Sequence, residues 1–386
     1  MELTDTQASR AIGRSIMATR IAFFVAGFAL ASWAPLIPLA KERLMVDNGT
    51  MGMILLAFGI GSFLMMPLSG SLASRYGCKL VFILATLVAL VMLPTLVTLD
   101  TPLALAIALF LFGAGIGAMD VVVNIQAVLV EKQAQKPIMS SFHALFSIGG
   151  IAGAGLVSLL LIGHLTPLIT VLLIVVIVAT LLALASGGLL NYSESDDSPL
   201  FVVPRGIVIL LGILCFVAYI MEGSMLDWSG ILLTSHNIIA ANHAGFGYTI
   251  FACAMTIGRL LGDRIIAKFG RLRVFVCSSL IATAGFAVVV SGAQLTNMLS
   301  GFFLIGIGLA NIVPILFTAS GQQKVMPSAL AVASVSTIGY SGILMGPALI
   351  GGIAHLTSLK VAFILVALVS LSIPLCSSLL QLGRSD

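Results

Sequence analysis

Arg75-Tyr76-Gly77-Cys78-Lys79-Leu80-Val81-Phe82 returns half a chain later as Lys268-Phe269-Gly270-Arg271-Leu272-Arg273-Val274-Phe275. The two glycines are 270 − 77 = 193 residues apart in a chain of 386, so the copies split it at its middle. Gly77 and Gly270 allow a tight reversal, and the cations Arg75, Lys79 and Arg271 beside them suit the negative C-terminal ends of helices. These residues therefore read as gating and topology elements. Three further pairs agree with a duplication. Trp33 and Trp228, the only tryptophans, are 195 apart, while Gly115-Ile116-Gly117 against Gly306-Ile307-Gly308, and His164 against His355, are each 191 apart. Repeats of this size within a membrane chain commonly underlie solute carriers.

Outward from that turn the sequence is apolar. Charged residues make up 8% and hydrophobic residues 60%, with mean hydropathy +1.19, where a soluble domain has about a quarter charged. That excludes a water-soluble fold. A helical span takes about 20 apolar residues, whereas barrel strands alternate polar and apolar over roughly ten, and no such alternation occurs. The runs predict an all-α polytopic membrane protein with helices near 16–40, 50–73, 80–99, 102–130, 138–163, 167–190, 205–234, 243–267, 272–293, 296–320, 328–354 and 359–381. These twelve transmembrane helices form two pseudo-symmetric bundles of six: an N-terminal bundle over 1–190, a cytoplasmic linker at 191–204 that carries the one acidic stretch, and a C-terminal bundle over 205–386. Asp227 and Trp228 interrupt the seventh helix.

Lys and Arg in short loops stay on the cytoplasmic side. A cytoplasmic N-terminus leaves only Lys41, Arg43 and Lys360 outside, with Arg259 and Arg384 counted among the inside cations. Both termini are thus expected in the cytoplasm of a bacterium, with the chain in its inner membrane. Residues 10–31 have the outline of a secretory signal, but the apolar run continues through Pro38 and its partner near Trp228 is retained, so cleavage is not expected. The five cysteines stand alone and imply neither disulfide nor metal. No phosphate loop, HExxH or nucleophile elbow occurs, so the chain does not read as an enzyme or a cofactor binder, and no basic run with interleaved aromatics suggests nucleic acid. The partners expected are a small-molecule solute, protons and lipid, with the monomer as the working unit.

Twelve spans, two repeated halves and glycine-containing basic turns after the second and eighth helices resemble the major facilitator superfamily over the whole chain. Gly70-Ser71-Leu72-Ala73-Ser74-Arg75-Tyr76-Gly77-Cys78-Lys79 is similar to that superfamily's loop signature, in which an acidic residue precedes the arginine. Ser74 and, in the second copy, Ala267 take the acid's place, and Arg259 and Asp263 stand near enough to substitute. Gly113-Ala114-Gly115-Ile116-Gly117-Ala118-Met119-Asp120 with Asn124, then Ser141-Phe142-His143, Ala31-Ser32-Trp33-Ala34 and Glu222-Gly223-Ser224 resemble the fucose permease-like group and, within it, the YbjJ-type bacterial inner-membrane proteins. The resemblance implies proton-coupled movement of a sugar-sized solute, with the fourth-helix acid important.

A carboxylate near a helix centre costs about 2.5–3.5 kcal/mol to insert, so Asp120, Glu222 and Asp227 need a compensating role. Asp120 and Glu222 are the candidates for proton coupling, and Asp227 for solute binding or the outer interface. The bland alternative for Asp120 is a packing carboxylate that accepts a hydrogen bond from Asn124. Glu131, beside Lys132, reads as a loop residue. At an offset of 191, Asn311 corresponds to Asp120 and keeps its hydrogen bonding without its titration. Pro314 should bend the tenth helix, as Pro35 and Pro38 should the first. Asn124 and Asn311, with Gln126, form a polar set suited to a small hydrophilic solute. Trp33 and Trp228 suit either stacking on a sugar ring or interfacial anchoring, and His143 either a carboxylate partner or a packing residue. The glycines of the fifth and eleventh helices read as close-approach faces. A secondary carrier working by alternating access is the leading reading. A proton-driven efflux antiporter and a non-transporting receptor or assembly protein of the same fold are the rivals.

Overall fold

The computed structural model describes residues 5–46, 48–191, 202–235, 246–292 and 294–380. The acidic part of the linker, 192–201, and Arg384 lie outside them. All regular elements among the described residues are helical: α1 (Asp5–Ser32), α2 (Ile37–Leu44), α3 (Asn48–Leu96), α4 (Pro102–Ala134), α5 (Met139–Ile162), α6 (Pro167–Ser186), α7 (Ile207–Ser235), α8 (Phe246–Phe269), α9 (Arg271–Ser291), α10 (Leu295–Leu309), α11 (Ile312–Gln322), α12 (Ser328–Leu356), α13 (Leu359–Ser370) and α14 (Ser372–Leu375).

Nine of the described helical stretches are long and apolar enough to cross a membrane. One of them, Met53–Leu96, has 44 residues, twice what a bilayer core of about 30 Å requires. It turns at Gly77, which has φ 81° and ψ 155° inside α3, and so makes two passes. Gly270 repeats that conformation with φ 81° and ψ 152° as the N-cap of α9, so the duplicated turn is duplicated in backbone geometry too. α8 is a further pass of 24 residues that carries Arg259, Asp263, Arg264 and Lys268. The shorter apolar stretch Leu359–Leu375 completes the twelve.

Sequence explains where most of these helices start and stop. Thr101, Thr166 and Ser358 accept hydrogen bonds from the backbone N–H three residues on, and Pro102 and Pro167 take the first helical position, where a missing N–H costs nothing. Past Ser32 the proline-containing segment forms a 3-10 turn at Ala34–Leu36 before α2 resumes. The tenth span breaks into α10 and α11 at Ala310-Asn311, four residues before Pro314, as expected where proline cannot donate to the preceding turn. α7, by contrast, runs unbroken through Asp227 and Trp228. Arg43, counted as an outside cation, is a clamp. Its guanidinium donates to the carbonyls of Leu96, Val97 and Leu99 at 2.8, 2.6 and 3.1 Å, which the end of α3 would otherwise leave without donors.

The chain packs as two compact units. One comprises Met1–Gln135, Leu145–Val203 and Pro327–Ser334, the other Lys136–Ala144, Pro204–Met326 and Val335–Asp386. Inside each unit glycines set the helix spacing, and they reveal the register of the duplication. A Cβ on Gly113 would strike the carbonyl of Phe58, and one on Gly306 that of Phe251. Likewise Gly115 abuts Ala89 and Gly308 abuts Ala282. Each residue in these pairs is separated from its counterpart by 193 (306 − 113, 251 − 58, 308 − 115, 282 − 89). The offset of 191 drawn from the Gly-Ile-Gly match is therefore corrected to that of the basic turns, and the counterpart of Asp120 is Val313, not Asn311. The same offset relates Gly149 to Gly342 (342 − 149 = 193), while the residues they abut, Phe24 of α1 and Phe216 of α7, are 216 − 24 = 192 apart. The glycine faces of α5 and α12 thus seat these helices on α1 and α7.

Candidate functional site

In the first unit the candidate residues lie on α4 and at the end of α1. Asp120 is half-buried within α4, and among the described residues its carboxylate has no ion pair or hydrogen-bond donor. The expected bond from Asn124 forms, but to the backbone carbonyl of Asp120 at 2.8 Å, not to the carboxylate. Asn124 is 1% exposed, and its Oδ1 has no partner among the described residues. Gln126 leaves the polar set. Its amide donates to Thr19 at 3.2 Å and accepts from the N–H of Leu190 at 3.1 Å, which makes it a structural tie. Glu131 is not a loop residue but is buried inside α4. Trp33 is buried at the end of α1, and its indole Nε1 meets no acceptor among the described residues. An interfacial anchor would hold that N–H at the water boundary, which this burial does not allow.

Arg75 and Lys79 flank Gly77 as expected, and the backbone N–H of Lys79 donates to the carbonyl of Leu190 at 3.0 Å. A Cβ on Gly77 would fall 2.8 Å from the carbonyl oxygen of Asn191, whereas one on Gly270 would meet nothing within 4 Å. The two turns share a conformation but not a neighbourhood. Arg271 opens α9 directly after Gly270.

In the second unit one stretch of α8, Gly258 to Asp263, gathers most of the remaining candidates. Gly258 presents its carbonyl to the Nδ2 of Asn311 at 3.3 Å. Arg259, 6% exposed, turns its Nη2 to Oε2 of Glu222 on α7 at 3.7 Å. Gly262 packs so tightly against Asn311 and Ser140 that no side chain fits there. Asp263 accepts from the backbone N–H groups of Ser140 and Ser141 at 3.0 and 3.1 Å, capping the first turn of α5. The carboxylate-to-helix-end contact is therefore made by Asp263. Its counterpart at offset 193 is Gly70, where a Cβ would strike Ala333 and meet the carbonyl of Ala329 near the start of α12. The same pair of positions is a charged cap in one copy and a small-residue contact in the other.

Arg259 is the residue whose role the sequence hid. Near a basic turn it counts as a topology cation, yet it is buried in α8 beside a carboxylate. Removing one partner of a fully buried ion pair costs about 3–5 kcal/mol, and with the Glu222 side chain 30% exposed this pair contributes less than that. Arg259 lies within electrostatic range of His143, whose ring stacks on Phe317 of α11 with centroids 5.8 Å apart. Tyr248, earlier on α8, lies within range of Glu222, Arg259 and Asp227. Asp227 is exposed, one residue before Trp228. Trp228 lays its ring edge on Gly351 of α12, and its Nε1, like Oδ1 of Asn311, is buried with no partner among the described residues.

No group of three or more His, Cys, Asp or Glu among the described residues could hold a metal ion. Residues 20–221 match the family model described as Major Facilitator Superfamily. An uncharacterised MFS-type transporter of Yersinia pestis is 51% identical over 358 residues, 92% of this chain and 93% of the relative. Among solved structures, the human organic anion transporter MFSD10 superposes with a TM-score of 0.78 at 15% identity, covering 96% of this chain and 99% of that one. The E. coli fucose:proton symporter FucP does so with 0.74 at 15%, covering 95% and 98%.

Proposed function

Because the chain belongs to the major facilitator superfamily and is a multi-pass membrane transporter, we propose that it is a proton-coupled secondary carrier moving a small polar solute by alternating access across a bacterial inner membrane, with both termini in the cytoplasm. One observation carries the choice of a polar solute: Trp33, Asn124, Trp228 and Asn311 each keep a buried polar atom without a partner among the described residues. Native interiors leave few such atoms, and an unmet one inside a membrane costs several kcal/mol (about 2–7). Four at candidate positions fit hydroxyl groups of a passing solute, with the indole N–H groups donating and the amide oxygens accepting.

Protons are the natural driving ion for the carboxylate in α4. Asp120 has no counter-ion among the described residues, so a proton is what neutralises it during passage through a low-dielectric state. Glu222 differs in facing the guanidinium of Arg259 at 3.7 Å. Asp263 holds the first turn of α5 and acts as a latch on that helix end. The fucose:proton symporter shares the fold, which makes sugars the first solutes to try.

The test is uptake into proteoliposomes of a labelled panel of sugars, polyols and small metabolites, with and without an imposed pH gradient. The proposal expects a polar solute whose accumulation needs the gradient, with the Trp33→Phe and Asn311→Ala variants weakened in affinity. Accumulation of apolar cationic dyes alone, or transport indifferent to the gradient, would favour a different carrier.

A further inference from the structure

The amide of Asn124 is held one way round. Its Nδ2 donates to the backbone carbonyl of Asp120 at 2.8 Å, and turning the amide over would set oxygen against oxygen. What it has left to offer is Oδ1, which only accepts, on a side chain 1% exposed and with no donor among the described residues. An amide oxygen lies about 2.2 Å from its nitrogen, which puts Oδ1 within about 5 Å of the Asp120 carbonyl, over the turn of α4 that starts at Asp120. Side chains four apart on a helix are neighbours, with Cβ atoms about 5–6 Å apart. The carboxylate of Asp120, without an ion pair or donor among the described residues, therefore shares that turn with a second oxygen in the same condition. A proton brings one donor to this pair, whereas a cation set between the oxygens meets both at once.

We propose that Asp120 and Asn124 form a binding site for a monovalent alkali cation, completed by oxygens of water or solute, and that this ion takes the proton's place in coupling where it is present. The proposal goes beyond the proton reading and does not depend on which solute is carried. Hard cations accept carboxylate, amide and water oxygens alike. The pair offers neither sulfur nor imidazole, the ligands that softer transition metals prefer. Charge decides the valence. One carboxylate neutralises a sodium or potassium ion, whereas calcium or magnesium would leave a net positive charge inside an apolar bundle. The helices packed on α4 do not supply a rival. α3 carries Arg75 and Lys79 at its Gly77 turn. On α1, Arg20 follows Thr19, which is bonded to Gln126, and 126 − 120 = 6 residues of helix, about 9 Å, separate that level from Asp120. Because one carboxylate balances one positive charge, cation and proton exclude each other, and without alkali cations the proton alone serves.

Purified wild-type protein is melted in choline chloride at fixed ionic strength, with lithium, sodium or potassium chloride replacing the choline salt. The proposal expects a saturable rise in Tm with at least one of the three. Asp120→Asn should abolish that rise, and Asn124→Leu should weaken the apparent affinity by about tenfold or more. Asn124→Asp places a second carboxylate on the turn and should shift the preference to calcium, which a packing role for Asn124 would not produce. No alkali-specific rise in wild type, a rise that survives Asp120→Asn, or an Asn124→Asp protein indifferent to calcium overturns the site. Asp120→Asn carries the test if Asn124→Leu does not fold. Failure here leaves the proton-coupled carrier standing, because that reading is tested by gradient-driven uptake in choline medium. A carrier that shows the alkali-specific rise but no such uptake would keep the site and lose the proton.

Discussion

Asp120 and Glu222 are the same chemistry in two settings. Asp120 stands in α4 without a counter-ion among the described residues, and Glu222 faces Arg259. Asp120→Asn should therefore leave Tm unchanged or raised, because it removes a charge that the bilayer disfavours by about 2.5–3.5 kcal/mol, while gradient-driven accumulation is lost. Thermal melts beside uptake assays check both halves of that statement. Arg259→Leu and Glu222→Gln should each lower stability by roughly 1–3 kcal/mol, less than a fully buried pair because Glu222 is partly wet, and the double variant should recover part of the loss. Strictly additive losses would mean that the two side chains do not interact. Both acids were legible in the sequence because a carboxylate inside an apolar run is conspicuous. Arg259 as the partner of Glu222 was not, since cations near a basic turn have the same composition whether they face a loop or an acid on the next helix.

Among the elements, proline and threonine announced the helix ends, and the break between α10 and α11 fell where Pro314 required it. The tight turns were equally readable, but their surroundings were not. Gly77 and Gly270 have nearly the same φ and ψ, in a region open in practice only to glycine, where another residue costs about 1–3 kcal/mol. Gly270→Ala should incur that strain alone. Gly77→Ala should lose more, because its new methyl also meets the backbone of Asn191, and paired melting curves would show the difference. The cap on α5 makes a further prediction. Asp263→Ala should weaken it by about 0.5–2 kcal/mol, seen as faster amide exchange at Ser140 and Ser141. From sequence the acid was known to be displaced from its usual place, but which helix end it would reach depends on packing that no spacing encodes.

For the whole molecule, the duplication was legible from one octapeptide, and the fold followed from it. Its register was legible only in part. Gly115-Ile116-Gly117 matches Gly306-Ile307-Gly308 letter for letter, yet contacts pair Gly113 with Gly306 and Gly115 with Gly308. In helices built of small residues many alignments look alike, and what distinguishes them is which backbone each glycine lets approach. The corrected register sets Asp120 against Val313, so the two copies differ more deeply than an acid-to-amide exchange. The first keeps Asp120 in α4 without a counter-ion among the described residues, and the second keeps Glu222 paired with a buried cation. On this account, proton movement belongs to the carrier as a unit and needs Asp120. The direct measurement is the pH of the medium around proteoliposomes, followed with a dye as a transported solute is added without any imposed gradient. The account predicts alkalinisation that tracks solute entry in wild type and is absent with Asp120→Asn. Solute entry without proton movement, or an Asp120→Asn protein that carries protons as wild type does, would contradict it.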